Sequence, residues 1–454
     1  MKHNFDLLND DIKKVFLKYL LPSVGGMLGI SLYVLGDTLL VGRGLGSSGL
    51  AALNISIPIL NIFSGLGLLL GVGGATMVSI LRGQGKGKDT NEIFTLSFII
   101  SLTMGLVITI LGLMYLEEFA MFMGASKGKI LDMSTEYLRL LIMASMFFVI
   151  NSFLIIFIRN DNAPKLVMIA MLTSSIANVI LDYVFIFIFD LGMMGAGLAT
   201  GLSPIISLSI LSTHFIKRRN TIGFGKINFK IQSLKRIFLN GIPSFVIETM
   251  AGIVIFIFNI AILRIKGNVG VSAYSIVANL ALFCGAIFNG IGQAIQPIVS
   301  INYGARKYER VREVVRLAIY TSLGIGVLFF LIGIGFPMQL TNIFINEVNP
   351  ELISQTITGI RLYFISFIFM GLNTVMVSYL QSMEYSRASI SISIGRGFVF
   401  VLLGITTLPM LFGINGVWIT IPLAEIMTLI YTIGFSKSSR EILGYSMGIS
   451  EGLL

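Results

Sequence analysis

Long, unbroken apolar runs dominate the chain, and short stretches rich in Lys, Arg, Asp and Asn separate them. Twelve runs can be drawn, roughly at residues 15–40, 50–81, 93–116, 134–158, 164–189, 194–216, 236–263, 270–301, 314–336, 355–383, 388–410 and 414–435. A helix needs about 20 mostly apolar residues to cross a bilayer, and each run meets that length. None alternates apolar and polar positions as a half-buried strand would. Pro22, Pro58, Pro204, Pro243, Pro297 and Pro422 fall inside runs, where neighbouring helices can re-satisfy the freed backbone groups. The pattern predicts an all-α integral membrane protein of twelve transmembrane helices.

Composition sharpens this. Of 454 residues, 55% are hydrophobic and 12% charged, about half the charge of an ordinary soluble domain. So little charge cannot cover a soluble surface of this size. It excludes a soluble enzyme, a disordered chain, a disulfide scaffold and a nucleic-acid partner. A lone Cys284 forbids internal disulfides, and two histidines, His3 and His214, are too few for a histidine metal cage. The polar start of the chain does not read as a cleavable signal peptide.

The net charge is +10, and its placement matters more than its size. If loops are assigned alternately to two sides, only Arg43, Lys127, Lys129, Arg139, Arg264, Lys266 and Arg361 fall on one of them. The other 25 of the 32 Lys and Arg fall on the side of both chain ends. Cytoplasmic loops carry the excess of Lys and Arg, so both termini are expected in the cytoplasm. The largest basic cluster, Lys217 to Arg236, reads as a topology-setting linker.

The chain also repeats itself at an offset of 221 residues: Pro22 falls on Pro243, Arg43 on Arg264, Gly46 on Gly267, Gly71 on Gly292 and Gly192 on Gly413. The expected organisation is a six-helix lobe at 1–219, a cytoplasmic linker at 220–235 and a second six-helix lobe at 236–454. Six spans per half make the repeats parallel, a pseudo-twofold pair of bundles that suits rocking between two access states.

Ionisable residues inside spans are costly and mark function by default. At ~1.5 Å per residue, Asp37 lies roughly 28 Å along its span from Lys18, and Asp182 about 25 Å from Lys165. Asn178 is one turn from Asp182 on the same face. Thr200 enters at about 9 Å depth on the sixth run. Two carboxylates, an amide and a hydroxyl then reach one level of the bilayer, a hard-oxygen set suited to Na⁺ or to a shared proton. Asn151, on the fourth run, reaches a similar depth; it reads equally as a ligand or as an interhelical hydrogen-bond partner. Asp37 and Asp182 could instead cap helix ends. In the second half, Glu248 and Glu425 are substrate-cavity candidates with Arg396, or else acids paired with Arg396 or held by packing hydrogen bonds. The repeat sets Phe258 and Leu403 opposite Asp37 and Asp182, so the halves differ chemically.

The strings LGDTLLVGRGLGSSGLAALNISIPI (35–59), ANVILDYVFIF (177–187), LGMMGAGLAT (191–200), GIPS (241–244) and INGVWITIPLAE (414–425) resemble the multidrug and toxic compound extrusion (MATE) family. The likeness covers nearly the whole chain and is nearest to the bacterial branch with acids in the N-terminal lobe. It implies a monomeric inner-membrane antiporter, not an enzyme. Such a protein exports amphipathic or cationic organic compounds in exchange for H⁺ or Na⁺ and needs no cofactor beyond that ion. It also implies a cation site on Asp37, Asn178, Asp182 and Thr200, with Asn151 as a further match. Glu248 stands only five residues after Pro243, nearer than the acid that some branches carry there. A lipid-linked oligosaccharide flippase of the wider superfamily is the alternative, but the acids here argue against a basic cavity for pyrophosphate. A channel would line its pore with repeated polar rings, and the sequence has none.

Overall fold

Helices follow the apolar runs closely. The computed structural model describes residues 6–125, 127–226, 229–344 and 349–438, and every regular element among them is helical. His3 and the two chain ends, expected in the cytoplasm, lie outside the described residues. The first half runs α1 (Ile12–Gly83), α2 (Thr90–Met114), α3 (Leu116–Phe122), α4 (Lys129–Met143), α5 (Ser145–Asn160), α6 (Pro164–Tyr183) and α7 (Gly192–Ile216). The second runs α8 (Ile231–Gly304), α9 (Tyr308–Gly335), α10 (Pro337–Asn342), α11 (Pro350–Tyr363), α12 (Ser366–Ser382), α13 (Ser386–Ile394), α14 (Phe400–Phe412) and α15 (Ile414–Ser438).

Among the described residues, eight helices are long and apolar enough to cross a membrane. Two more crossings are bent pairs: α4 with α5, at 52°, and α11 with α12, at 45°. The two longest helices, α1 and α8, each hold two crossings, because one glycine in each leaves the helical conformation. Gly46 has φ 67 and ψ −158, and Gly267 has φ 61 and ψ −154. A side chain would be strained at either, so glycine is what lets the chain turn there without a loop. Counted this way the chain spans the membrane twelve times. It is a multi-pass membrane protein.

The internal repeat is written in the backbone as well. Besides Gly46 and Gly267, positive φ recurs at Gly85 (75) and Arg306 (59) and at Gly192 (59) and Gly413 (56), and, one residue off the offset, at Asn162 (60) and Glu384 (61). The π-helical turns do not repeat. One continues α6 over Val184–Ile188, and the other joins α13 to α14 over Gly395–Val399.

Contacts divide the described chain into two compact units. The first holds Leu21–Thr249; the second holds Asp6–Leu20 together with the chain from Met250 onward. The division therefore falls within α1 and α8 rather than in the 220–235 stretch. In the first unit α6 packs on α7, α2 on α5 and α4 on α7. Its core gathers Phe94, Phe153 and Phe157 in one cluster and Tyr137, Leu138 and Leu141 in another. In the second unit α12 packs on α9 and α15, and α14 on α15. Asn302 and Arg310 there hold the main-chain oxygen of Leu7.

Candidate functional site

Small residues set the site. Along its first crossing α1 lies beside α6, pointing the same way, because glycines remove the side chains that would hold them apart. A Cβ on Gly25 would stand 3.1 Å from Met168 Sδ, one on Gly29 2.6 Å from Leu172 Cδ2, and one on Gly36 2.9 Å from Val179 Cγ2. The contact continues to Gly44, which meets Ile186 and Phe187 of the π-helical turn. This register sets Asp37, next to Gly36, at the level of Asn178 and Asp182, on either side of Val179.

All three are buried: Asp37 is 6% exposed, Asn178 and Asp182 are 0%. The two carboxyls are close neighbours. Asp37 Oδ1, both Asp182 oxygens and both amide atoms of Asn178 have no hydrogen-bond partner among the described residues. Neither acid caps a helix end; Asp37 lies mid-helix in α1 and Asp182 within α6. Tyr33, one turn before Asp37, has its phenol within electrostatic reach of both acids. So has Tyr137 of α4. The Tyr137 hydroxyl donates to Thr200 Oγ1 at 3.3 Å, which brings Thr200 of α7 to the edge of the cluster. The close approach of α7 and α4 at Gly197, where a Cβ would lie 3.0 Å from Leu140 Cδ1, makes that contact possible. Asn151 of α5 carries a buried amide oxygen without a partner.

Sequence reasoning therefore named three residues that the structure brings together, plus Thr200 beside them, and missed the two tyrosines. Two buried neighbouring carboxyls, with Asp37 Oδ1 and both Asp182 oxygens unpartnered among the described residues, are expensive unless something neutralises them. A proton or a hard monovalent cation is the partner such an oxygen set can take.

Glu248 belongs to the first unit, half-buried on α8. A Cβ on Gly65 would stand 3.6 Å from the Glu248 Cβ, and the Tyr33 phenol feels its charge. Glu425 and Arg396 are joined to each other in the second unit: Arg396 Nε donates to Glu425 Oε1 at 2.9 Å and to Oε2 at 3.1 Å.

The two halves of the chain each match the family model MatE, over residues 22–184 and 243–408. The protein belongs to the MatE family. The family resemblance read from the sequence strings is correct, and the two matched stretches begin at the paired prolines of the repeat. Among its relatives, the multidrug export protein MepA of Staphylococcus aureus (strain MRSA252) is 27% identical over 425 residues, 91% of this chain and 90% of that one. MepA of Staphylococcus saprophyticus is 27% identical over 376 residues, 81% of this chain and 80% of that one. Two solved structures share the MatE fold at 24% identity. An outward-facing multidrug resistance MATE family transporter has a TM-score of 0.90 and covers 98% of this chain and 99% of its own. A MOP superfamily transporter from Pyrococcus furiosus, described as having a binding pocket of reversed polarity, has a TM-score of 0.89 with the same coverage.

Proposed function

We propose that this MatE-family protein is a secondary active multidrug efflux antiporter of the inner membrane. It exports amphipathic or cationic organic compounds in exchange for H⁺ or Na⁺, as a monomer with both chain ends in the cytoplasm. The coupling ion binds at Asp37, Asn178 and Asp182, with Thr200 and Asn151 completing the oxygen set. Two relatives bear the name of multidrug export proteins, which supports the substrate class. The observation that carries the coupling is the buried pair of carboxyls in the first unit, of which Asp37 Oδ1 and both Asp182 oxygens lack a hydrogen-bond partner among the described residues. Ion entry neutralises the pair and shifts the balance between two access states of the six-span halves. Drug binding from the cytoplasm then discharges the ion on that side.

Uptake of a cationic dye into inverted vesicles tests the reading, under an imposed pH gradient or an imposed Na⁺ gradient. Dependence on one gradient names the ion. Asp37→Asn and Asp182→Asn are expected to abolish gradient-driven uptake while the protein still reaches the membrane. Normal uptake in both variants would remove the site from the mechanism.

A further inference from the structure

Two buried acid sites within spans are treated in opposite ways. In the first unit Asp37 Oδ1 and both Asp182 oxygens have no hydrogen-bond partner among the described residues. In the second, Glu425 of α15 is already occupied. Arg396 Nε bonds both of its oxygens, and Asn373 Nδ2 donates to Oε2 at 2.7 Å and to the Glu425 main-chain oxygen at 2.8 Å. The guanidinium is held on its far side as well: Nη1 donates to Thr374 Oγ1 at 3.0 Å and Nη2 to the Met370 carbonyl at 3.3 Å. The pair is deeply enclosed, with side chains 14% and 6% exposed. One further titratable group stands near it, the Tyr363 phenol of α11, which also neighbours the Cys284 thiol of α8.

Two features mark Arg396 as a placed charge. It sits in the π-helical turn Gly395–Val399, where an extra residue re-aims a side chain and which often marks a functional site. The pair also has no counterpart in the first half, because the 221-residue offset puts Arg396 on Ser175 and Glu425 on Pro204. An arginine within a span is costly and rare, and here its charge is spent entirely on one carboxylate.

We propose that Arg396 is a built-in counter-cation that keeps Glu425 permanently occupied, so that the second unit loads no coupling ion and ion exchange runs through the first unit alone. A guanidinium is always charged and is already seated, so an incoming proton or Na⁺ would have to displace a fixed partner to gain the carboxylate. The proposal rests on the exchange reading above for its meaning, but the state of Glu425 can be measured without transport.

Infrared difference spectra of the purified full-length protein are recorded through a pH titration, then on replacing choline with Na⁺. Four forms are compared: the parent, R396Q, E425Q/R396Q and, as a positive control for carboxyl loss, D182N. The parent and the double variant are expected to give the same carboxyl changes, because Glu425 contributes none. R396Q is expected to gain a protonated-carboxyl band on mild acidification, and adding E425Q removes it. Carboxyl intensity present in the parent and lost in the double variant would overturn the proposal, and so would a folded R396Q without the new band. If R396Q does not fold, the double variant, which removes both charges, still decides against the parent. A parent that moves no dye under any gradient would defeat the exchange reading while leaving the spectra of Glu425 unchanged.

Discussion

Asp161 sits in the turn between α5 and α6 and has a donor on every side. Arg82 Nη2 reaches Oδ1 at 2.9 Å, His214 Nε2 lies 2.9 Å from Oδ2, and the Thr221 amide donates to Oδ2 at 2.8 Å while its hydroxyl donates to Oδ1. Burial pulls this carboxyl upward, but His214, Arg82 and Thr221 outweigh it and hold it below the usual carboxylate range. A carboxyl depressed on folding adds stability above its unfolded value, ~3.9, and the gain is lost as pH falls through the folded value. Melting of the parent is therefore expected to drop on acidification below about pH 4, and that of Asp161→Asn to drop less. At neutral pH the same variant is expected to lose about 1–3 kcal/mol through unpaired buried donors. Scanning fluorimetry across pH reads both effects. At this scale the sequence was informative where one helix carried the signal. Depth along the spans picked out Asp37, Asn178 and Asp182. Tyr33 was open to the same reasoning, one turn before Asp37. Tyr137 was not, since it joins them only through the packing of α4 against α7.

Helices meet most tightly where glycine faces backbone. A Cβ on Gly73 would collide with the Ile237 carbonyl, and one on Gly241 with that of Leu69. Carbonyls of packed helices cannot swing aside as a side chain can, so the helices themselves must part. Gly241→Ala is expected to cost about 1–3 kcal/mol, the usual range for overpacking. Gly285→Ala meets open space on α8 and is expected to gain up to ~1 kcal/mol from helix propensity. Thermal unfolding of the two variants in detergent, side by side, checks the contrast. The spans themselves were legible from apolar length, and the gaps at residues 40–50 and 263–270 enclose Gly46 and Gly267. The bends between α4 and α5 and between α11 and α12 were not, nor were the π-helical turns. The apolar runs continue through the two bends, and hydropathy carries no record of hydrogen-bond register.

For the molecule as a whole, the repeat was readable because glycines and prolines needed at turns cannot drift in sequence. The contact division was not, because α1 and α8 each run through both units and no change in composition marks the crossing. Orientation rests on the distribution of Lys and Arg and can be tested directly. Cys284 is the chain's only cysteine and is buried, so Cys284→Ser gives a clean background. In intact cells a membrane-impermeant maleimide is expected to label a cysteine at Lys127 and to leave one at Lys217 unlabelled. The reverse result would turn the topology over.

The side-by-side run of α1 and α6 also works as a vernier. Its glycine notches, Gly25 on Met168 through Gly36 on Val179, fix one alignment of two parallel rods. Slipping by a single turn would carry Asp37 ~5.4 Å past Asp182. That exceeds the ~3 Å over which two oxygens can share a proton. Whatever slides this seam by one notch also parts the two carboxyls.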